Sequence, residues 1–546
     1  MISERCNVLM IYPRFNAGSF WNYKATCEMA GARYPAAPLG LITVAALLPK
    51  SWDIRLVNRN TDTLTDDDLD WAEMVMTGGM HFQQADALQL IELCRARGKP
   101  VVVGGPDVTS TPDFYHRANF RVLGEAEEIM DDFVAAWRSG GREGEFIAPM
   151  GQTDVTKSPT PRFDLLKFDD YLHVGIQFSR GCPFNCEFCD IIELYGRVPR
   201  TKTTAQVLAE LDVLYALGYR GHIDFVDDNL IGNKKALRRF LPDLQNWLKT
   251  KQFPFEFSTE ASVNLSDDEA LLRDLRAANF FAIFVGIESP DTETLILTRK
   301  KQNTRRSLQE SIYKIYDAGI FVLAGFIVGF DSENATVADG MIECIEDLSI
   351  PVCTIGLLYA LPNTQLTRRL RHEGRLFADH HTPARPDQGD QCTSGLNFLT
   401  NRPRRDVLVD YKAVVGSVYH PSAFFGRLRR MGRMLKPGAR QLKMPLRKLP
   451  RDIRSVGRLI WHMLWAEPEL RRQFFRTIFE TAWHNRRALP AMIMLSALYV
   501  HLGPFSGQVT GQIQRQIDDI DAGRWTMPEM LVSATSPSET AAAAAE

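Results

Sequence analysis

HVGIQFSRGCPFNCEFCD, residues 173–190, joins an apolar run to a loop carrying three cysteines, Cys182, Cys186 and Cys189, within eight positions. HVGIQFS reads as a strand. The spacing C-x-x-x-C-x-x-C, with Phe188 just before the last cysteine, gathers three soft thiolate ligands of the kind that suit iron–sulfur clusters. Zinc sites and ordinary iron–sulfur clusters usually take four protein ligands. A four-iron cluster on three thiolates leaves one iron open to a ligand from solution or substrate. The alternative is a three-cysteine zinc knuckle completed by a histidine elsewhere, but no histidine or fourth cysteine follows at a short spacing.

From this strand the chain alternates. TTAQVLAELDVLYALG (203–218) reads as a helix and HIDFVDD (222–228) as a strand. FEFSTEA, AIFVGIES, FVLAGFIVGF and CTIGLLYALP follow as strands, with helices at DEALLRDLRAAN and RSLQESIYKIYDAG. Six βα units fit a parallel barrel or partial barrel, and the polar or glycine residues that end most strands belong where carboxyl-end loops build a site. Candidate residues at those ends are Asp227, Asp228, Ser258, Glu260, Glu288, Gly325 and Gly329. Singly, a carboxylate at a strand end is more often a cap or an ion pair.

The first 140 residues alternate in the same way. NVLMIYP is a strand, followed by a long loop, the helix PLGLITVAALLP, the strands DIRLVNRN and WAEMVMTGG, the amphipathic helix ADALQLIELCRARG, and the strands VVVGGP and FRVLGEAEE. This predicts a parallel, doubly wound sheet with ligands at its carboxyl ends. Gly78, Gly79, Gly104, Gly105 and Gly124 fall at those ends, where they serve either close ligand approach or plain turn chemistry.

Beyond about Leu366 the chain is helical and rich in arginine and aromatics. Between Arg427 and Arg458 it has twelve Lys or Arg and one acid, Asp452, and Trp461, Trp465 and Trp483 follow. Such a region suits an anionic lipid surface, or equally a solvated face over a tryptophan-bearing core. The run 488–505 is about long enough to span a bilayer, yet His501, two prolines and a glycine favour a buried or interfacial helix. The net charge of −2 argues against a nucleic-acid binder. The remaining six cysteines are scattered and no signal-peptide pattern opens the chain, which reads as cytoplasmic with reduced thiols.

The cysteine loop, placed after the first strand of a six-unit βα series, resembles that of the radical S-adenosylmethionine (radical SAM) enzymes. The resemblance implies a [4Fe-4S] cluster on Cys182, Cys186 and Cys189, SAM chelated to the open iron, and a 5′-deoxyadenosyl radical. Val226-Asp227-Asp228 stands where the family has a glycine-rich segment at the SAM amine, and GFIVGF (325–330) resembles the segment that packs on adenine. VVVGGPDVTSTP, with Gly104, Gly105 and Thr109, and the GEAEE that begins at Gly124, resemble the ligand-facing loops of a cobalamin-binding domain. The D-x-H-x-x-G cobalt-ligating motif is absent, which leaves cobalamin without a protein imidazole, His81 as a ligand, or a version of the fold without cobalamin.

The whole layout resembles the cobalamin-dependent radical SAM methylases. Within them it is most similar to the hopanoid-methylating branch, which carries LLYALPNTQLTRRL and GLNFLTNRPR. That resemblance implies methyl transfer to an unactivated carbon of a polycyclic triterpenoid lipid, with a flavodoxin or ferredoxin as electron donor and peripheral contact with the inner membrane face. Oxidative cyclisation or methylation of a tetrapyrrole, a tRNA methylthiotransferase and a non-enzymatic cobalamin or redox sensor are the rivals. The expected architecture is α/β: a Rossmann-like, doubly wound N-terminal domain (1–140), a linker (141–165), a partial (β/α)6 barrel (166–365), a helical C-terminal domain (366–530) and a disordered tail (531–546).

Overall fold

The computed structural model describes residues 4–15, 18–380, 391–438, 442 and 449–531. The expected tail, apart from Leu531, and part of the basic stretch lie outside the described residues.

The N-terminal sheet contains β1 (Asn7–Tyr12), and β2 (Tyr34–Ala36) leaves it for the second sheet. β3 (Asp53–Asn58), β4 (Met74–Gly78), β5 (Val101–Gly104), β6 (Phe120–Leu123) and β7 (Gly144–Ile147) complete the first sheet in the order β3-β1-β4-β5-β6-β7, all parallel. Successive side chains on a strand point to opposite faces. Val8, Met10, Met74 and Met76 therefore enter one core, with Phe133 and Trp137 of the helix Met130–Arg138. Leu9, Ile11 and Val75 enter the other, with Leu90 and Ile91 of the helix Gln84–Ala96. Coverage on both faces explains why β1, β4 and β5 read as unbroken apolar runs rather than alternating ones.

β8 (Tyr171–Ile176) opens the second sheet. β9 (Ser179–Arg180) and β10 (Arg200–Thr201) pair antiparallel across the base of the cysteine loop. β11 (Gly221–Phe225), β12 (Phe255–Glu260), β13 (Phe280–Glu288), β14 (Phe321–Val328) and β15 (Cys353–Leu357) curl into a half-barrel in the order β15-β14-β13-β12-β11-β8-β2. The expected six strands are present. The seventh, β2, comes from the segment after β1 that reads as a loop, and that segment also holds the helix Lys24–Ala30. β2 has three residues with Pro35 among them. A proline cannot donate to a ladder and so belongs at a sheet edge, which is where β2 pairs with β8.

The half-barrel does not close on itself, and the C-terminal helices fill the gap. The helix Leu489–Asp521 is long and apolar enough to cross a membrane, but Met492, Leu495, Tyr499, Leu502, Phe505, Val509, Ile513 and Ile517 form a buried stripe along it. It packs on the helices Arg404–Val418 and Pro421–Met434 and on Lys24–Ala30. Arg427 is fully buried, its guanidinium donating to Ile350 O (2.9 Å) and Val418 O (2.5 Å) and paired with Glu346. Removing one partner of such a network strands the others away from water. Arg427→Met should lower stability by about 3 kcal/mol, read as a lower denaturant midpoint with the intact sheets still visible by circular dichroism.

Candidate functional site

The cysteine loop leaves the carboxyl end of β8 and is fastened on three sides. Asp227, just past the end of β11, accepts from Phe178 N (3.0 Å), from Ser179 N and from Ser179 Oγ (2.5 Å), and Asp228 accepts from Gly181 N (2.8 Å). Gly181 has φ +89°, and a Cβ there would sit 2.9 Å from Gly196 O and 3.0 Å from Val198 O, so the turn into Cys182 needs glycine. On the third side Glu187 N donates to Thr298 O (3.0 Å) and Leu366 N to Glu187 O (2.9 Å).

Side-chain amides donate to two of the sulfurs: Gln302 Nε2 to Cys186 Sγ (3.6 Å) and Asn229 Nδ2 to Cys182 Sγ (4.0 Å). Burial pushes the Cys182 and Cys189 thiols up, Cys189 well above the ordinary range, and their neighbours' negative charge adds to this. Thiolates so placed need positive charge beside them, which iron supplies. Among the described residues no three Cys, His, Asp or Glu side chains converge on a single ion. Cys182, Cys186 and Cys189 come from one short loop, and two of their sulfurs accept N–H donors of the kind that steady cluster thiolates. The donor set therefore fits the cluster.

Around the loop the barrel hollow is acidic. Glu260, open to the hollow yet ringed by protein, is pushed to about 8 by burial and by the charges of Asp224, Asp228 and Glu288. Burial is also the main cause that raises Asp227 to about 7 and Asp228 to about 6. Glu288 sits in the left-handed region, φ +66°, at a bulge in β13 and pairs with the buried Lys300. Asn303 supports the bulge by donating to Gly286 O and Ile287 O, each at 3.1 Å. Strained backbone of this kind collects at functional sites. Ser258 donates to Asp224 and lies 2.6 Å from His222 Nε2. At Gly325 a Cβ would meet the Phe284 ring at 3.1 Å, and Gly329 (φ +113°) accommodates Leu396 and has its N–H capped by Glu333 (2.8 Å).

The carboxyl ends of the two sheets face each other. Thr109 joins two of the predicted loops, donating to Gly105 O (2.9 Å) and accepting from Gly124 N (2.9 Å). Gly78 and Gly104 have a packing reason for their lack of side chain: a Cβ on Gly78 would fall 2.2 Å from Gly104 O. His81 bridges the sheets, with Nδ1 3.1 Å from Asp107 and Nε2 3.2 Å from the Tyr359 hydroxyl past β15, so both ring nitrogens are engaged. Asn363 donates to Ser110 O (3.0 Å) alongside.

The strongest bridge was not singled out from the sequence. Arg180, the residue before the cysteine turn, pairs with Glu125 (3.0 Å) and Glu127 (2.5 Å) of the GEAEE loop, and Arg200 pairs with Glu125 (2.7 Å). Arg180 borders the motif and was within reach of inspection. Nothing in the chain marks Gln302, Asn303 or Lys300, which come from the segment after β13. Two surface clefts of about 850 and 740 Å3 lie at the amino end of the barrel, lined by residues that precede its strands, and are separate from this site.

A radical SAM superfamily model matches residues 176–344, and a domain of unknown function, DUF4070, matches 364–515. The chain is 41% identical to an uncharacterized methyltransferase of Synechocystis sp. over 94% of each protein. It is 36% identical to the hopanoid C-2 methylase of Rhodopseudomonas palustris, covering 77% of this chain and 78% of that one. In fold it is similar to the cobalamin-dependent S-adenosylmethionine radical enzyme OxsB (TM-score 0.59, 14% identity, 96% of this chain and 82% of that). It is similar too to the radical S-adenosylmethionine methyltransferase TsrM of Kitasatospora setae (TM-score 0.58, 15% identity, 75% and 91%).

Burial alone would raise the Glu127 carboxyl, but the Arg180 guanidinium and the Ser158 hydroxyl hold it at about 2. A depressed carboxylate stabilises the fold above its unfolded pKa, about 4.3, and that contribution disappears as pH falls towards 2. Glu127→Gln should cost about 3 kcal/mol at pH 7, with the difference from wild type shrinking below pH 4.5 in parallel unfolding series.

Proposed function

Since this chain belongs to the radical SAM methyltransferases and has the fold of their cobalamin-dependent branch, we propose that it is a cobalamin-dependent C-methylase acting on an unactivated ring carbon of a polycyclic triterpenoid lipid, a hopanoid C-2 methylase. The observation that carries this reading is the loop of Cys182, Cys186 and Cys189 lying against the carboxyl-end loop of the other sheet through Arg180, Glu125 and Glu127. The lipid assignment draws on the 36% identity to the Rhodopseudomonas enzyme.

The cluster and SAM supply a radical that removes a hydrogen atom from carbon, and cobalamin supplies the methyl group. The chain's own residues do the rest. Cys182, Cys186 and Cys189 hold the cluster, and Gln302 and Asn229 orient two of the sulfurs by N–H donation. The acidic side chains of Asp224, Asp228, Glu260 and Glu288 line the hollow, and a cation such as the sulfonium of SAM would relieve the mutual repulsion that raises Glu260. Ser258, Glu260, Glu288 and the Gly325–Gly329 strand end would form the wall that meets SAM, with Asp227 and Asp228 holding the cysteine loop beside it. Gly104, Gly105, Thr109 and Gly124, at the carboxyl end of the first sheet, would line the cobalamin site. Asp107 and Tyr359 would hold the His81 ring by both nitrogens beside the cobalamin-facing loops. A flavodoxin or ferredoxin delivers electrons, and the enzyme works in the cytoplasm at the inner membrane face.

Deleting the gene in its host and profiling total lipids by mass spectrometry should remove ring-methylated hopanoids while leaving the unmethylated ones. The intact gene should restore them and Cys186→Ala should not. An unchanged lipid profile refutes the substrate. SAM cleavage by purified Cys186→Ala would refute the cluster assignment.

A further inference from the structure

The helix Leu449–Leu464 carries two apolar stripes, and the protein needs only one of them. Leu459 and Met463, at i and i+4, are buried against the body of the chain. Ile453, Val456, Ile460 and Leu464, at i, i+3, i+7 and i+11, form a second stripe that faces out. Trp461 is 65% exposed and Trp465, one residue past the helix, 74%, the two rings meeting edge to face at 5.7 Å. In the next helix, Pro468–His484, Phe479 and Trp483 are 72% and 82% exposed. A soluble monomer rarely leaves so many large apolar side chains together in water.

The charge around this surface identifies what covers it. The helix has one acid, Asp452, against Arg451, Arg454 and Arg458. Arg454 and Arg458 border the outward stripe and also line, with Lys167 and Arg451, the 740 Å3 cleft, whose single acid is Asp169. Arg451 already pairs with Asp169 (2.7 Å) and Arg458 donates to Glu28 O (3.3 Å), while Arg454 has no partner among the described residues. A second copy of this chain docking here would bring arginine against arginine. Exposed tryptophans beside the exposed Arg454 and Arg458 instead match a bilayer, where indole rings favour the headgroup boundary and guanidiniums meet lipid phosphate.

We propose that the helix Leu449–Leu464 lies flat on an anionic phospholipid bilayer, with Trp461 and Trp465 in the headgroup boundary and Arg454 and Arg458 on lipid phosphates. The surface is a peripheral membrane anchor. It rests on the lipid-methylase reading only for its purpose, which is to hold the enzyme beside a substrate that partitions into membrane.

The test is sedimentation of the full-length, cluster-reconstituted protein with vesicles of phosphatidylcholine alone or mixed with phosphatidylglycerol, at low and high salt. The wild type should sediment with the anionic vesicles, less so at high salt, and its tryptophan emission should shift to the blue. Trp461→Ser/Trp465→Ser and, separately, Arg454→Glu/Arg458→Glu should each lower partitioning by about tenfold or more, with unchanged thermal unfolding and unchanged 5′-deoxyadenosine formation. All four side chains are exposed, and because Arg458 donates to Glu28 O, Arg454→Glu alone is measured beside the double variant and should also lower partitioning. A wild type that stays in the supernatant with both vesicle types overturns the proposal. So do variants that bind like wild type, or tryptophan variants that merely turn a dimer into a monomer on size exclusion. Vesicle binding in a protein whose deletion leaves hopanoids unchanged keeps the anchor and removes only the substrate.

Discussion

Two carboxylates and two guanidiniums buried between the sheets, Glu125 and Glu127 with Arg180 and Arg200, set the geometry on which the rest depends. Charges taken out of water are tolerated only when each keeps its partners at close range. The doubly wound sheet therefore cannot slide over the half-barrel without stranding an ion. Because Arg180 directly precedes the cysteine turn, the same pairs that dock one sheet on the other also fix the cluster loop relative to the opposite strand ends. Asp227 and Asp228 take the other side of the loop through its backbone N–H groups. The loop is held by the two bodies that a two-cofactor reaction has to bring together.

The half-barrel's open edges explain much of the remaining chain. An unpaired strand edge invites unwanted pairing, and β2 covers one edge by crossing from the N-terminal segment. On the other side the helix Arg404–Val418 lies on β15, with the Tyr411 hydroxyl donating to Ile355 O at 3.0 Å. The helix Leu489–Asp521 bridges these closures, and its apolar length is spent on the interior.

Much of the architecture was legible from period and composition. β1, β4 and β5 announce a doubly covered parallel sheet, and the six barrel strands fall where the sequence puts them. β2 was hidden because three residues with a proline carry no period. The site was legible where chemistry clusters in sequence, as in Cys182, Cys186 and Cys189. It was illegible where single residues arrive from distant segments: Gln302 stands 116 positions from the Cys186 sulfur it bonds, and Arg200 stands 75 from Glu125. The glycines at the ends of β4 and β5 were ambiguous in the sequence, and the fold gives them a reason in the 2.2 Å approach of Gly104 O to a Cβ on Gly78.

By itself the sequence determined the metal chemistry and the βα alternation. Thiolate number and spacing, and the period of apolar residues, are local properties that survive without a fold. Tertiary structure alone decided the partners. It gave Asp227 to the cysteine-loop backbone, both nitrogens of His81 to Asp107 and Tyr359, and the GEAEE carboxylates to Arg180 and Arg200. A buried polar group must find its counterpart in space, and spacing along the chain places no limit on where that counterpart comes from.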